Sequence, residues 1–317
     1  MNVIRNIKWV ALLTFVLGYI VSTATAGSEP SARNGAGTTH QLQPLDEPDP
    51  EMSESLWKAV AVSNSMPTGF NDCQPNVINR ADALTKVFDT LCHSGRPLRV
   101  LQLGDSHVAG GSYPQAVRER LETAWGKAEN ETDTAGVIFS YNGSNGATTK
   151  RFATDAWMKR IAATNPDLII LSFGTNECHG MGYNEESHHA ELETFYNMLS
   201  QTCPDAIIMM TTPPGDYLTS RSSRRARSRK GRRTSRTISR VNPMSIRCAA
   251  ELESFGQEHN LPVWDLYTIA GGSEAVGNWT SANMMKPDRI HFTPEGYTLH
   301  GHLLAEAILS AYNQYLK

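Results

Sequence analysis

The sequence predicts an α/β fold, a three-layer sandwich around a roughly five-stranded parallel sheet. Two observations carry this. Short apolar runs at Leu98–Leu103, Leu168–Phe173 and Ala206–Thr211 are closed by Gly or Pro, as strands buried on both faces are. Longer amphipathic stretches separate them, and such alternation implies helical crossovers covering both faces of a parallel sheet. The length of 317 residues allows one large or two small domains, and the net charge of −3 names no polyanion partner.

The N-terminus reads as a targeting segment. Arg5 and Lys8 give a basic start, Trp9 to Val21 an apolar core, and Ala24-Thr25-Ala26 a small-residue cleavage site. Residues 1–26 are therefore a signal peptide or an N-terminal anchor, and the protein is expected to be exported to the periplasm or the outside. Residues 27–52 are rich in Ser, Gly, Pro, Asp and Glu and read as a disordered linker. Residues 53–317 are the folded domain, with Trp57 and Val60 leading in.

Within it, Asn79 to His93 reads as a helix because Leu84, Val87, Phe88 and Leu91 share a face. The strand Leu98–Leu103 follows and stops at Gly104. The turn Asp105-Ser106-His107 leads into a helix from Ser112 to Trp125. Gly136–Tyr141 is a second strand running into the glycine-rich turn 142–148, and Asp155–Ala163 is a helix. Leu168–Phe173, the clearest strand, ends in Gly174-Thr175-Asn176-Glu177. Glu191–Gln201 is a helix and Ala206–Thr211 a strand closed by Pro213-Pro214-Gly215. Pro243–His259 is a helix, Pro262–Leu266 a short strand, and Pro294–Leu316 a long helix with Leu299, Leu303, Leu304, Ile308 and Tyr312 on one stripe.

Five cysteines, an odd number, leave at least one unpaired within the chain. Cys73 and Cys92 flank a helix and could pair; sequence leaves the connectivity open. No Cys-x-x-Cys spacing suggests zinc. His179, His188 and His189 form no recognised metal set and read as a solvated loop.

The segment 221–240 breaks the rhythm. It holds nine arginines and one lysine without an acidic residue, and removing those ten charges takes the net charge from −3 to −13. It is too polar for a core and is expected to be a loop on the edge where the preceding strand ends. It is either a solvated insertion or a clamp for an anionic polymer. Nucleic acid fits poorly, because no aromatic residues interleave with the arginines.

A serine on a tight turn between strand and helix lies at the carboxyl edge of the sheet, where open α/β sheets place their chemistry. Three further stretches fall at that edge: Asn145-Gly146-Ala147-Thr148, Gly174-Thr175-Asn176-Glu177, and Pro287-Asp288-Arg289-Ile290-His291-Phe292-Thr293-Pro294. With Gly104-Asp105-Ser106-His107, they resemble the four blocks of the SGNH (GDSL-like) hydrolases, in family order, over roughly residues 97–312. His107 stands where the common pattern has leucine, and this variant is similar to the subgroup containing bacterial peptidoglycan O-acetylesterases. Glu177 stands where many members have aspartate.

The residue chemistry agrees with that resemblance. A serine hydroxyl needs a base, which His291 can be, and Asp288 can hold the other ring nitrogen. The resemblance implies an oxyanion hole from the Ser106 and Gly146 N–H groups and the Asn176 amide. His107 is either a packing residue or a substrate contact. The resulting expectation is a serine esterase of O-acylated carbohydrate, O-acetyl above all, with peptidoglycan or another envelope or plant polysaccharide as polymer. It would need no metal or organic cofactor. A lipase or thioesterase of the same fold, or a non-catalytic carbohydrate-binding envelope protein, are the alternatives.

Overall fold

The computed structural model describes residues 74–225 and 233–317, excluding the side chains of 221–236. The expected targeting segment and linker, together with Trp57, Val60 and Cys73, lie outside these residues.

Chain order begins with a 3-10 turn (Ala81–Leu84) and helix α1 (Thr85–His93), then β1 (Leu98–Gly104), the short α2 (Ser106–Ala109) and α3 (Ser112–Trp125). β2 (Val137–Gly143), α4 (Thr149–Phe152), α5 (Asp155–Ala163), β3 (Leu168–Ser172), α6 (Thr175–Cys178) and α7 (Glu185–Thr202) follow. Then come β4 (Ile207–Thr211), β5 (Tyr217–Arg225), β6 (Arg233–Val241), α8 (Ser245–Glu258) and β7 (Val263–Trp264). The described chain ends with α9 (Leu266–Ile269), α10 (Ala275–Ser281) and α11 (Pro294–Tyr315).

Five strands form one parallel sheet in the order β2-β1-β3-β4-β7. The strand pleat sends alternate residues to opposite faces. Leu98, Val100, Leu168 and Ile170 pack with Phe88 of α1, Leu121 of α3 and Leu304 of α11. Leu101, Leu103, Ile169 and Leu171 pack with Ile161 of α5, Phe195 of α7 and Leu252 of α8. Burial on both faces explains why the strands read as continuous apolar runs, and the expected three-layer α/β architecture is the observed one. Among the described residues, no helix is long and apolar enough to cross a membrane.

Three sequence readings are corrected. The segment 221–240 is not a loop: β5 and β6 pair antiparallel from Tyr217↔Val241 to Arg225↔Arg233, a two-stranded ribbon separate from the main sheet. Its strands carry Ser, Thr and Arg instead of apolar alternation, so the usual strand signal was missing. His188 and His189 do not lie in a solvated loop. Asn184 accepts from the Ser187 N–H, capping α7 well before the expected start at Glu191, so both histidines are helical. His188 is buried, its Nδ1 2.8 Å from Tyr183 Oη. Finally, Cys92 is free, and its sulfur lies 3.3 Å from Tyr312 Oη.

Candidate active site

β1 ends at Gly104, and the chain turns into α2 with Ser106 as its first residue. Asp105 caps that helix: its Oδ1 accepts from the His107 N–H at 2.8 Å. Burial pushes the Asp105 carboxyl up to about 7, against the lowering pull of the His107 amide. The end of β2 lies against this turn. Gly143 pairs in register with Gly104, and the Ser144 N–H donates to Gly104 O at 3.1 Å. A side chain at 143 would strike the backbone of Ala109 and Asp105, so the Ser106 turn requires glycine there.

The loop before α11 brings the other two members. His291 Nε2 lies 2.9 Å from Ser106 Oγ, and His291 Nδ1 lies 2.9 Å from Asp288 Oδ2. Asp288 Oδ1 accepts from the Ile290 and His291 N–H groups, each at 3.0 Å. Burial opposes ionisation, but those amides and the His291 ring hold the Asp288 carboxyl below the ordinary aspartate value. Thr293 then caps α11 by accepting from Gly296 N–H, with Pro294 in the first turn. The three residues, 185 positions apart at the widest, meet in a hydrogen-bonded chain.

Asn176 sits in α6 and ties blocks together. Its Nδ2 donates to Ala147 O at 2.9 Å and to Asp105 Oδ2 at 3.2 Å. Gly146 has φ +68 with open space where a Cβ would be, so backbone conformation, not crowding, calls for glycine. Among the described residues, neither the Ser106 nor the Gly146 N–H has a protein acceptor. Glu177 braces the same region: Oε1 accepts from Thr149 N–H and Oε2 from Gly174 N–H, both at 3.0 Å. Burial pushes its carboxyl up to about 7, with the Thr149 amide pulling the other way.

His107 is buried with both ring nitrogens engaged, Nδ1 3.0 Å from Tyr297 Oη and Nε2 3.2 Å from Thr175 Oγ1. Burial first, then the neighbouring His291, lower its pKa to about 3, so it is a neutral strut near neutral pH.

Sequence reasoning missed one polar node. Buried Asp216 accepts from Asn242 Nδ2 at 2.8 Å and from Ser245 Oγ at 2.7 Å through Oδ1, while its Oδ2 meets His179 Nδ1. Asn242 Nδ2 also donates to Cys178 O at 2.9 Å. The node closes the base of the arginine ribbon against α6. A usable signal was present, since Asp216 and Asn242 bracket the basic segment, one at each end. The ribbon also joins the His291 loop: Tyr217 N–H donates to Arg289 O at 3.1 Å, and the Arg289 guanidinium lies 5.1 Å from the Tyr217 ring centre.

This geometry, a serine hydroxyl joined to an imidazole and a carboxylate beside free N–H donors, can support acyl transfer. Of three solved structures compared, the first shares the fold. A peptidoglycan O-acetylesterase superposes with a TM-score of 0.60 at 16% identity, covering 76% of this chain and 99% of that one. A lipase/acylhydrolase from Enterococcus faecalis gives 0.44 at 20% identity, covering 67% and 96%. A two-domain esterase active on acetylated mannans gives 0.49 at 17%, covering 75% of this chain and 56% of that one. No match was found among the curated proteins. The profile of the GDSL-like Lipase/Acylhydrolase family matches residues 103–299, more than half of the chain. The chain therefore belongs to the GDSL-like lipase/acylhydrolase family and is an esterase.

Proposed function

We propose that this esterase is exported and removes O-acyl groups, O-acetyl in the first place, from carbohydrate through an acyl-enzyme. The observation that carries the reading is the relay from Ser106 through His291 to Asp288, with both links at 2.9 Å. Ser106 Oγ attacks the ester carbon as its proton passes to His291 Nε2. The Asp288 carboxylate stabilises the imidazolium, which returns the proton to the departing sugar oxygen. Water then attacks the acyl-enzyme with His291 again as base, releasing the acid and restoring the serine. The Ser106 and Gly146 N–H groups receive the developing oxyanion, joined by the Asn176 amide as it gives up the longer of its two bonds.

Two features support acetylated carbohydrate. His107 occupies the position characteristic of the peptidoglycan O-acetylesterase variant, and a protein of that activity shares the fold. Peptidoglycan and other envelope or plant polysaccharides are the candidate polymers. Export rests on the basic, apolar and small-residue pattern of residues 1–26. The ribbon extends the reading to an anionic polymer, since its base is bonded to the His291 loop and ten cationic residues lie in 221–240.

The test is acetate release from O-acetylated polymers by the parent and by Ser106→Ala, with acetyl and octanoyl esters compared. Ser106→Ala should lose at least about 10³-fold in turnover, and a fluorophosphonate should label Ser106 alone. Near-parental turnover by a folded Ser106→Ala protein would remove the mechanism, and a strong preference for octanoyl would replace the carbohydrate reading with a lipase one.

A further inference from the structure

Helices α7 and α8 bring five titratable side chains together outside the set around Ser106. His189 and Glu193 lie one turn apart on α7. Glu251 and Glu258 lie two turns apart on α8, and His259 caps its end. Ligating atoms of His189, Glu193 and Glu258 all fall within 4.8 Å of one another. His189 Nε2 is 3.9 Å from Glu193 Oε1 and 3.7 Å from Glu258 Oε2. Those separations are too long for hydrogen bonds. They are close to the roughly 3.4 Å between neighbouring donors around a tetrahedral ion with bonds of about 2.0–2.2 Å.

The surroundings point the same way. His189 Nδ1 lies 2.8 Å from Glu251 Oε1, and Glu251 is the least exposed carboxylate of the group, at 15%. A histidine that donates its Nδ1 proton to a carboxylate presents the Nε2 lone pair, which is how metal-bound imidazoles are oriented. In that tautomer the lone pair faces two carboxylates, an arrangement that a cation between them would make favourable. Glu193 is held by His259, whose Nε2 is 2.5 Å from Oε1. The imidazoles are backed by the Phe255 ring, with centroid separations of 5.5 Å for His189 and 4.4 Å for His259. Among the described residues, no lysine or arginine pairs with Glu193, Glu251 or Glu258, so three carboxylates face two imidazoles without a fixed cation.

We propose that this cluster binds a divalent transition metal of the zinc type, with His189 Nε2, Glu193 and Glu258 as ligands. Glu251 orients His189, and His259 steadies Glu193. The mixed imidazole and carboxylate donors suit zinc and its neighbours; calcium and magnesium favour all-oxygen sets. The ion would staple α7 to α8 on one outer layer of the sandwich. It takes no part in the ester chemistry.

The experiment uses the full chain stripped with a chelator and then titrated with zinc by calorimetry and thermal unfolding. One zinc per chain should bind at this site and raise the melting temperature, with magnesium and calcium giving no such rise. X-ray absorption should show only nitrogen and oxygen neighbours. His189→Ala should weaken this binding at least about 100-fold. Glu251→Gln should weaken it about 10–100-fold, as loss of an orienting carboxylate does. Glu258→Gln, at the most exposed of these positions, provides a variant that keeps its fold and should also lose the thermal shift. Turnover of p-nitrophenyl acetate should be the same with and without zinc. No saturable zinc-dependent shift in the parent, or equal shifts in the parent, Glu258→Gln and His189→Ala, would overturn the proposal and leave a cluster neutralised by protons.

Discussion

Gly143→Ala tests how the sheet holds Ser106. An added Cβ would lie 2.2 Å from Ala109 N, 2.7 Å from Ala109 Cα and 2.8 Å from Asp105 O. Comfortable contact between such atoms needs about 3.5 Å, so something must retreat by about 1 Å. β2 is poorly placed to do so, because it pairs with β1 along its whole length, ending at Gly104↔Gly143. The displacement falls on α2, a single turn that begins with Ser106. Its 2.9 Å contact with His291 would lengthen beyond hydrogen-bond reach. A misplacement of about 1 Å at a reacting group costs on the order of 10²-fold in rate, or about 3 kcal/mol of barrier. Overpacking should also lower stability by about 1–3 kcal/mol. The assay is steady-state hydrolysis of p-nitrophenyl acetate, with thermal unfolding to show that the variant is folded. kcat should fall about 100-fold while KM changes little. Adding Ala109→Gly should not rescue it, because the clash is with backbone atoms. A folded Gly143→Ala protein with kcat within twofold of the parent would refute the reasoning.

Other outcomes follow from the same geometry. Asp105 keeps its proton in the folded state up to about pH 7, whereas an unfolded aspartate loses it near pH 4. The folded state therefore binds the extra proton between those values, and this residue makes stability fall as pH rises through that window. Asp105→Asn removes the effect, so from pH 5 to 7 its stability by urea unfolding should rise relative to the parent by up to about 3 kcal/mol, at about 1.4 kcal/mol per unit; a constant difference would contradict the raised pKa. Asn176→Ala should cost on the order of 10²–10³ in kcat if the amide serves the oxyanion. If Asn176 only ties Ala147 to Asp105, stability will fall and kcat will drop less than about tenfold. Replacing the arginines of 221–240 with serine should leave a neutral acetyl ester unaffected and slow hydrolysis of an acidic O-acetylated polymer. The parental advantage should shrink with salt, because exposed charges are screened beyond about 8–10 Å near physiological ionic strength. Equal loss on both substrates would make the ribbon a fold element instead of a substrate surface.

The sequence by itself determined the elements whose signals are local. Leu168–Ser172 is apolar throughout because both faces of the strand are buried, and that run is visible without knowing its neighbours. The start of α11 at Pro294 and its apolar stripe are legible for the same reason. Ser106, Asp288 and His291 could be singled out because each sits in a recognisable block whose chemistry requires the others, and the structure brings them together. Tertiary structure alone decided what depends on partners distant in sequence. The ribbon has no apolar period; its backbone pairing starts beside the bonds that Asn242 and Ser245 donate to Asp216 at its base. Nothing at position 107 reveals that Tyr297 and Thr175 occupy both nitrogens of its histidine. The five side chains at α7 and α8 are individually ordinary surface residues; only the packing of two helices sets Glu258 opposite His189, 69 positions away, and makes them a cluster. Periodicity records whether a residue faces the core or the solvent, whereas a polar site depends on which other polar groups share its surroundings, and chain topology decides that.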